Sequence, residues 1–94
     1  HVLVVPKIEV DNIMDLTSES YLSLFSFAKK ISYSIQKVVS CNRIGISVIG
    51  LEVPHAHIHL VPINNLDDMD FKRKKNISEM ELLDLAEKIR KEIK

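Results

Sequence analysis

The sequence has no tryptophan, one cysteine, two glycines and three prolines among 94 residues, and only 5% of it is aromatic. The lone cysteine, Cys41, can close no internal disulfide and complete no two-cysteine zinc motif. That fits a reducing compartment, and the expected location is cytoplasmic. No apolar run approaches the roughly 18 residues of a membrane-spanning helix, and no signal peptide is visible. No membrane partner is therefore expected. Neither sign of charge is in excess, since 13 basic side chains balance 13 acidic ones. Generic nucleic-acid binding rests on neutralising phosphates, so no nucleic-acid partner is expected either.

A hydrophobic fraction of 46% is enough for a core and argues against disorder. The length fits one domain. Small domains bury a smaller share of their surface, so a partner chain would help this one. The chain opens on His1 rather than Met and enters strand-like residues at once. The expectation is that an N-terminal segment of the natural protein is missing.

His1 to Val5 (HVLVV) is apolar and β-branched, stopped by Pro6-Lys7, and reads as a strand. Ile8 to Asp15 reads as a connector. Thr17 or Ser18 can cap a helix with Glu19 in its first turn. Tyr21, Leu24, Phe25, Ala28, Ile31, Ile35, Val38 and Val39 then recur at three- and four-residue spacing, which predicts a helix over 18–39. Arg43 to Ile49 reads as a strand with Ile44, Ile46 and Val48 on one face. Gly50 and Pro54 punctuate a turn, and His55 to Ile63 reads as a second strand, pairing antiparallel with the first. Asn64 to Asn76 is polar. Ser78 and Glu81 fit a capping box, with Ile77 and Leu82 at the staple positions, opening a helix over 79–93. The order strand, helix, strand, strand, helix predicts an α+β fold: an antiparallel sheet with one long helix and a C-terminal helix.

His55, His57 and His59 are three of only four histidines. On a strand they would share one face, about 6.6 Å apart, with Ala56, Ile58 and Leu60 on the core face. Three readings of this row stay open. The first is purely structural. The second is a metal site, since imidazole binds zinc and neighbours at spacing two can share an ion; no cysteine lies close, and a carboxylate would have to come from Glu52 or elsewhere. The third is catalysis, because imidazole can act as acid, base or nucleophile near neutral pH. A row of imidazoles can supply a nucleophile flanked by donors to anionic oxygens, which suits phosphate chemistry. Gly50 would let backbone approach an anion closely.

Val53-Pro54-His55-Ala56-His57-Ile58-His59-Leu60-Val61-Pro62 resembles the motif of the histidine triad (HIT) family, in which three histidines alternate with hydrophobic residues. His1-Val2-Leu3-Val4-Val5-Pro6-Lys7 resembles the family's strand that carries a further active-site histidine. The resemblance covers about residues 1–63. It implies a single HIT-like domain over 1–94, with a core at 1–63 and a C-terminal tail and helix at 64–94. It implies a nucleotide hydrolase or transferase acting on a purine nucleotide substrate, either a nucleoside phosphoramidate or a dinucleoside polyphosphate. His57 would attack the α-phosphate and form a covalent nucleotidyl-histidine. His59 would donate to a phosphate oxygen, and His55 would support the arrangement from behind, together with His1. No cofactor would be required, and a homodimer through the long helix is implied.

The chain departs from the family pattern at two places. Where many members have Gly-Gln followed by Ser or Thr, it has Gly50-Leu51-Glu52. Leucine offers no amide hydrogen bonds, and Glu52 is a candidate proton donor to the leaving group. Where many members carry an asparagine six residues before that glycine, Ile44 stands here. These departures keep a second class open, a nucleotide-binding regulatory module without turnover. The basic run Lys72–Lys75 reads as a solvated loop, Cys41 as an ordinary small residue, and Tyr21, Phe25 and Phe27 as core or dimer interface.

Overall fold

The alternation of apolar residues in two strands and the single apolar stripe of the long helix require the sheet and helix to face each other. The computed structural model, which describes residues 1–70 and 77–93, shows that arrangement. Strand β1 is Val2–Val4, helix α1 Ser18–Val38, strand β2 Arg43–Ser47, strand β3 Ile58–Ile63 and helix α2 Glu79–Glu92. Both pairings are antiparallel, and the order β1-β3-β2 puts the strand that carries His59 in the centre. The α+β fold expected from the pattern is the fold observed.

The core lies between one face of this sheet and α1. Val4, Ile58, Leu60 and Ala56 meet Leu24, Ala28, Ile31 and Ile35, all buried. Thr17 accepts from the Ser20 N–H at 3.1 Å, which caps α1 as expected. One expectation fails upstream of it. The supposed connector contains a 3₁₀ turn at Ile13–Asp15 whose Ile13 is buried in the core. Asn12 caps that turn by accepting from the Met14 N–H. Three residues give too little periodicity to be read as an element.

After β3 the chain folds back. Asn42 donates its N–H to both the Ile63 carbonyl and the Asn64 side-chain oxygen. The Asp68 carboxylate accepts from the N–H groups of Asn64 and Asn65, at 2.8 and 3.3 Å. This holds a 3₁₀ turn at Leu66–Met69 against the sheet. Helix α2 starts where the capping pattern placed it, with Ser78 accepting from the Glu81 N–H at 3.2 Å. It buries no residue fully. Ile89 packs against the core, and Lys37 of α1 pairs with Glu92 at 3.8 Å, an exposed contact worth little. Lys72–Lys75 lies outside the described residues. Among the described residues, no helix is long and apolar enough to cross a membrane.

Leu60 is fully buried on the central strand. Leu60→Ala is expected to cost about 2–5 kcal/mol, the transfer loss plus a cavity. The exposed Leu51→Ala should cost less than about 0.5 kcal/mol. Urea unfolding midpoints of the two variants check this contrast.

Candidate active site

The histidine segment is only partly a strand. Ladder pairing begins at Ile58, not at His55. Pro54 has no N–H, Gly50 turns the chain with a φ of 74°, and the His55 N–H closes a turn onto the Val53 carbonyl. The Ala56 N–H is spent on the Val10 carbonyl at 2.7 Å. The chain therefore reaches β3 through a bent lead-in, which gives His55 and His57 their backbone geometry. Ala56, Ile58 and Leu60 are buried on the core side, but burial does not alternate through the lead-in, since His57 is buried too.

The histidines then divide. The rings of His57 and His59 lie together, centroids 4.7 Å apart and nearly edge to face. The His55 ring does not join that row as expected; its Nε2 lies 2.9 Å from the Pro6 carbonyl. A carbonyl only accepts, so Nε2 of His55 carries the proton. His57 Nδ1 is 2.7 Å from the His55 carbonyl, which by the same reasoning makes it Nδ1–H. When the ring is neutral, its lone pair is left on Nε2. His57 is nine-tenths buried, so the ring has little freedom to turn away from this bond. His1 does not sit behind the row with His55. Its Nε2 is 2.9 Å from Nδ1 of His59, with ring centroids 5.1 Å apart. The arrangement offers a nucleophilic nitrogen beside a second imidazole that can donate a proton to an oxygen.

Register places the neighbours. His59 pairs with Leu3 on one side and Ser47 on the other, so Leu3, His59 and Ser47 form one cross-strand row on the solvent face. Ile44 pairs with Pro62 and packs against the core, on the opposite face. It cannot take a role beside the histidines. Counting back from Gly50 pointed to the wrong position, and Ser47 is the β2 side chain beside His59. The signal was present in the sequence: Arg43, Gly45 and Ser47 alternate with the apolar Ile44 and Ile46. Gly45 has a separate reason to be glycine. A Cβ there would stand 2.6 Å from the Met69 sulfur, so the 3₁₀ turn lies directly over it. Val61, across from Gly45, is buried on this otherwise open face.

Gly50 has open space around it and serves the turn. Glu52 is exposed on the same loop, and among the described residues no hydrogen bond ties it to the histidines. Leu51 is 88% exposed. Among the described residues, no group of three or more His, Cys, Asp or Glu side chains is disposed to hold a metal ion. Cys41 is a free thiol just past α1.

Burial pushes the His59 pKa below its ordinary value, and the neighbouring His57 charge lowers it further. The unfolded chain thus takes up this proton at higher pH than the folded chain. The associated stability is full above about 6.5 and falls as pH drops through and below that value. The wild type should therefore lose stability more steeply between pH 7.5 and 5 than His59→Gln. Urea melts across that range check it, and parallel slopes would refute it.

The model of the HIT domain matches residues 1–66. The asymmetrical bis(5'-nucleosyl)-tetraphosphatase of Schizosaccharomyces pombe is 35% identical over 72 residues, which is 71% of this chain and 40% of that protein. The bis(5'-adenosyl)-triphosphatase of Dictyostelium discoideum is 33% identical over 72 residues, 71% of this chain and 48% of that protein. The chain thus spans less than half the length of either relative. A histidine triad protein from Bradyrhizobium japonicum has the same fold, with a TM-score of 0.82 at 18% identity, covering 98% of this chain and 74% of that one. A family-model match running from the first strand to just past the third leaves one assignment: the chain belongs to the HIT domain family.

Proposed function

We propose that this chain carries the active site of a nucleotide hydrolase that cleaves at the α-phosphate of a dinucleoside polyphosphate through a covalent nucleotidyl-His57. The observation that carries the reading is the 2.7 Å bond from His57 Nδ1–H to the His55 carbonyl, which leaves the lone pair on Nε2. Similarity to a tetraphosphatase and a triphosphatase supports the substrate class.

Nε2 attacks the α-phosphorus, and the N–P bond forms as the bond to the bridging oxygen breaks. The leaving nucleotide departs with the electron pair as a phosphate oxyanion. The His55 carbonyl stabilises the positive charge that develops on the His57 ring. Water then adds to phosphorus, the N–P pair returns to Nε2, and the water's proton leaves to solvent as nucleoside monophosphate is released. His59 stays neutral near pH 7 because its pKa is lowered. In the tautomer in which His1 donates to its Nδ1, the His59 ring carries its proton on Nε2, the form that donates to a non-bridging oxygen. His55 acts through its backbone, with its ring braced on Pro6. Glu52 stands out on an exposed loop, which favours a leaving group that needs no proton over the amine of a phosphoramidate.

A homodimer through α1 is consistent with the large exposed side chains Leu22 and Tyr33. They lie three turns apart and so on one stripe of the helix.

The test is release of nucleoside monophosphate by the full-length protein from a dinucleoside tetraphosphate and from an adenosine phosphoramidate, with and without chelator. Release that survives chelation and falls at least about a thousandfold in His57→Ala is expected. Release stopped by chelator but indifferent to His57→Ala would favour the metal reading. Binding of AMP without release from either substrate would leave a regulatory binding module, the reading that the exposed Leu51 favours.

A further inference from the structure

Helix α2 covers the core loosely. None of its residues is fully buried, and only Leu85, Ile89 and Glu92 are half-buried. A helix on a globular protein normally hides its apolar stripe. Here Leu82 and Leu83 are 54% and 65% exposed. They border a cleft of about 460 Å³ whose far wall includes Val2, Ile35, Val39 and Pro62. Glu79, Leu83, Ala86 and Arg90 follow at spacings of four, three and four. Such spacing puts residues on one seam of a helix, and all four are exposed. The seam has an acid at its N-terminal end, a base at its C-terminal end, and a large and a small apolar residue between. Charge is segregated along the whole helix: every acidic residue of α2 except Glu92 precedes every basic one. Glu92 is turned to Lys37 of α1.

We propose that α2 docks antiparallel on the α2 of a second copy of this chain, about a two-fold axis between Asp84 and Leu85. A two-fold axis makes each contact occur twice, so the surface must complement itself. About this axis Glu79 of one copy faces the partner's Arg90, and Leu83 faces the partner's Ala86. A parallel pairing would set Glu79 against Glu79 and Arg90 against Arg90, so charge selects the antiparallel register. Ala86 leaves the room that the partner's Leu83 fills, at the cleft both residues line. The pairs within the helix leave the seam available. Lys88 holds Asp84 at 3.0 Å on the other flank. Arg90 holds Glu87 at 2.6 Å, an exposed pair worth little, and its guanidinium has further donors to share. Glu79 is exposed, and among the described residues no hydrogen bond or ion pair engages its side chain. The contact lies on a different helix from Leu22 and Tyr33 and does not rest on the hydrolase reading.

Sedimentation equilibrium of the full-length protein, from micromolar to submillimolar concentration, tests this. The wild type is compared with Leu83→Glu, Glu79→Arg, Arg90→Glu and an equimolar mixture of the last two. All three side chains are exposed, so helix content by circular dichroism should stay at the wild-type value. Each variant alone should weaken self-association at least about tenfold, because it sets a charge on leucine's place or like charges face to face. In the mixture, a Glu79→Arg copy meets an Arg90→Glu copy, and both charge pairs are opposite again. Association should return there. Association untouched by Leu83→Glu and by Arg90→Glu would assign any self-contact to another face and overturn the proposal. A wild type that stays monomeric throughout would overturn it as well. Weakening that the mixture does not restore would overturn the antiparallel register, and the proposal with it. If either charge variant loses helix content, Leu83→Glu alone decides: weaker association supports the contact, and unchanged association refutes it.

Discussion

One hydrogen bond orders the rest of the site: His57 Nδ1 to the carbonyl of His55, two residues earlier. A backbone carbonyl cannot give up a proton, so it fixes which ring nitrogen is bare. The bond can form only because the chain is bent just before β3. A regular strand would turn that carbonyl to a neighbouring strand's N–H. The bend is made by Pro54, by the positive φ of Gly50 and by the Ala56 N–H reaching across to Val10. The lead-in and the ladder therefore have separate tasks. The lead-in sets the His57 tautomer, and the ladder sets the neighbours of His59.

The ladder does this by register. Because β3 is central, His59 has a companion on both sides, Leu3 and Ser47. The core side of the same strand, Ile58 and Leu60 at zero exposure, locks that register against α1. A slip by one residue would exchange the faces and bury the imidazoles. Core packing and the placement of His59 are thus two faces of one strand. The turn at Leu66–Met69 closes the far end of the polar face over Gly45, while α2, with no buried residue, bears little on the site.

Much of this was legible in the residues. The stripe from Tyr21 to Val39 located α1, and Ser78 located the start of α2. The alternation of histidines with Ala56, Ile58 and Leu60 identified the core face. Period-two reasoning went too far at His55, because it treats a run of suitable residues as a ladder without asking where the backbone N–H groups go. Ile13 was missed because a three-residue turn has no period. Ser47 was missed because counting from Gly50 assumes a loop length that only the register can supply. His1 was expected behind the row, yet its bond to His59 joins residues 58 positions apart. No local pattern carries such a contact.

His55 and His57 are opposite tautomers, each fixed by a main-chain carbonyl. Long-range ¹H–¹⁵N correlation spectra of the histidine side chains at pH 7.5, assigned with His55→Gln and His57→Gln, read the protonated nitrogen of each neutral ring directly. Nδ1–H is expected for His57 and Nε2–H for His55. An Nε2–H tautomer at His57 would put the proton on the proposed nucleophile and contradict this assignment.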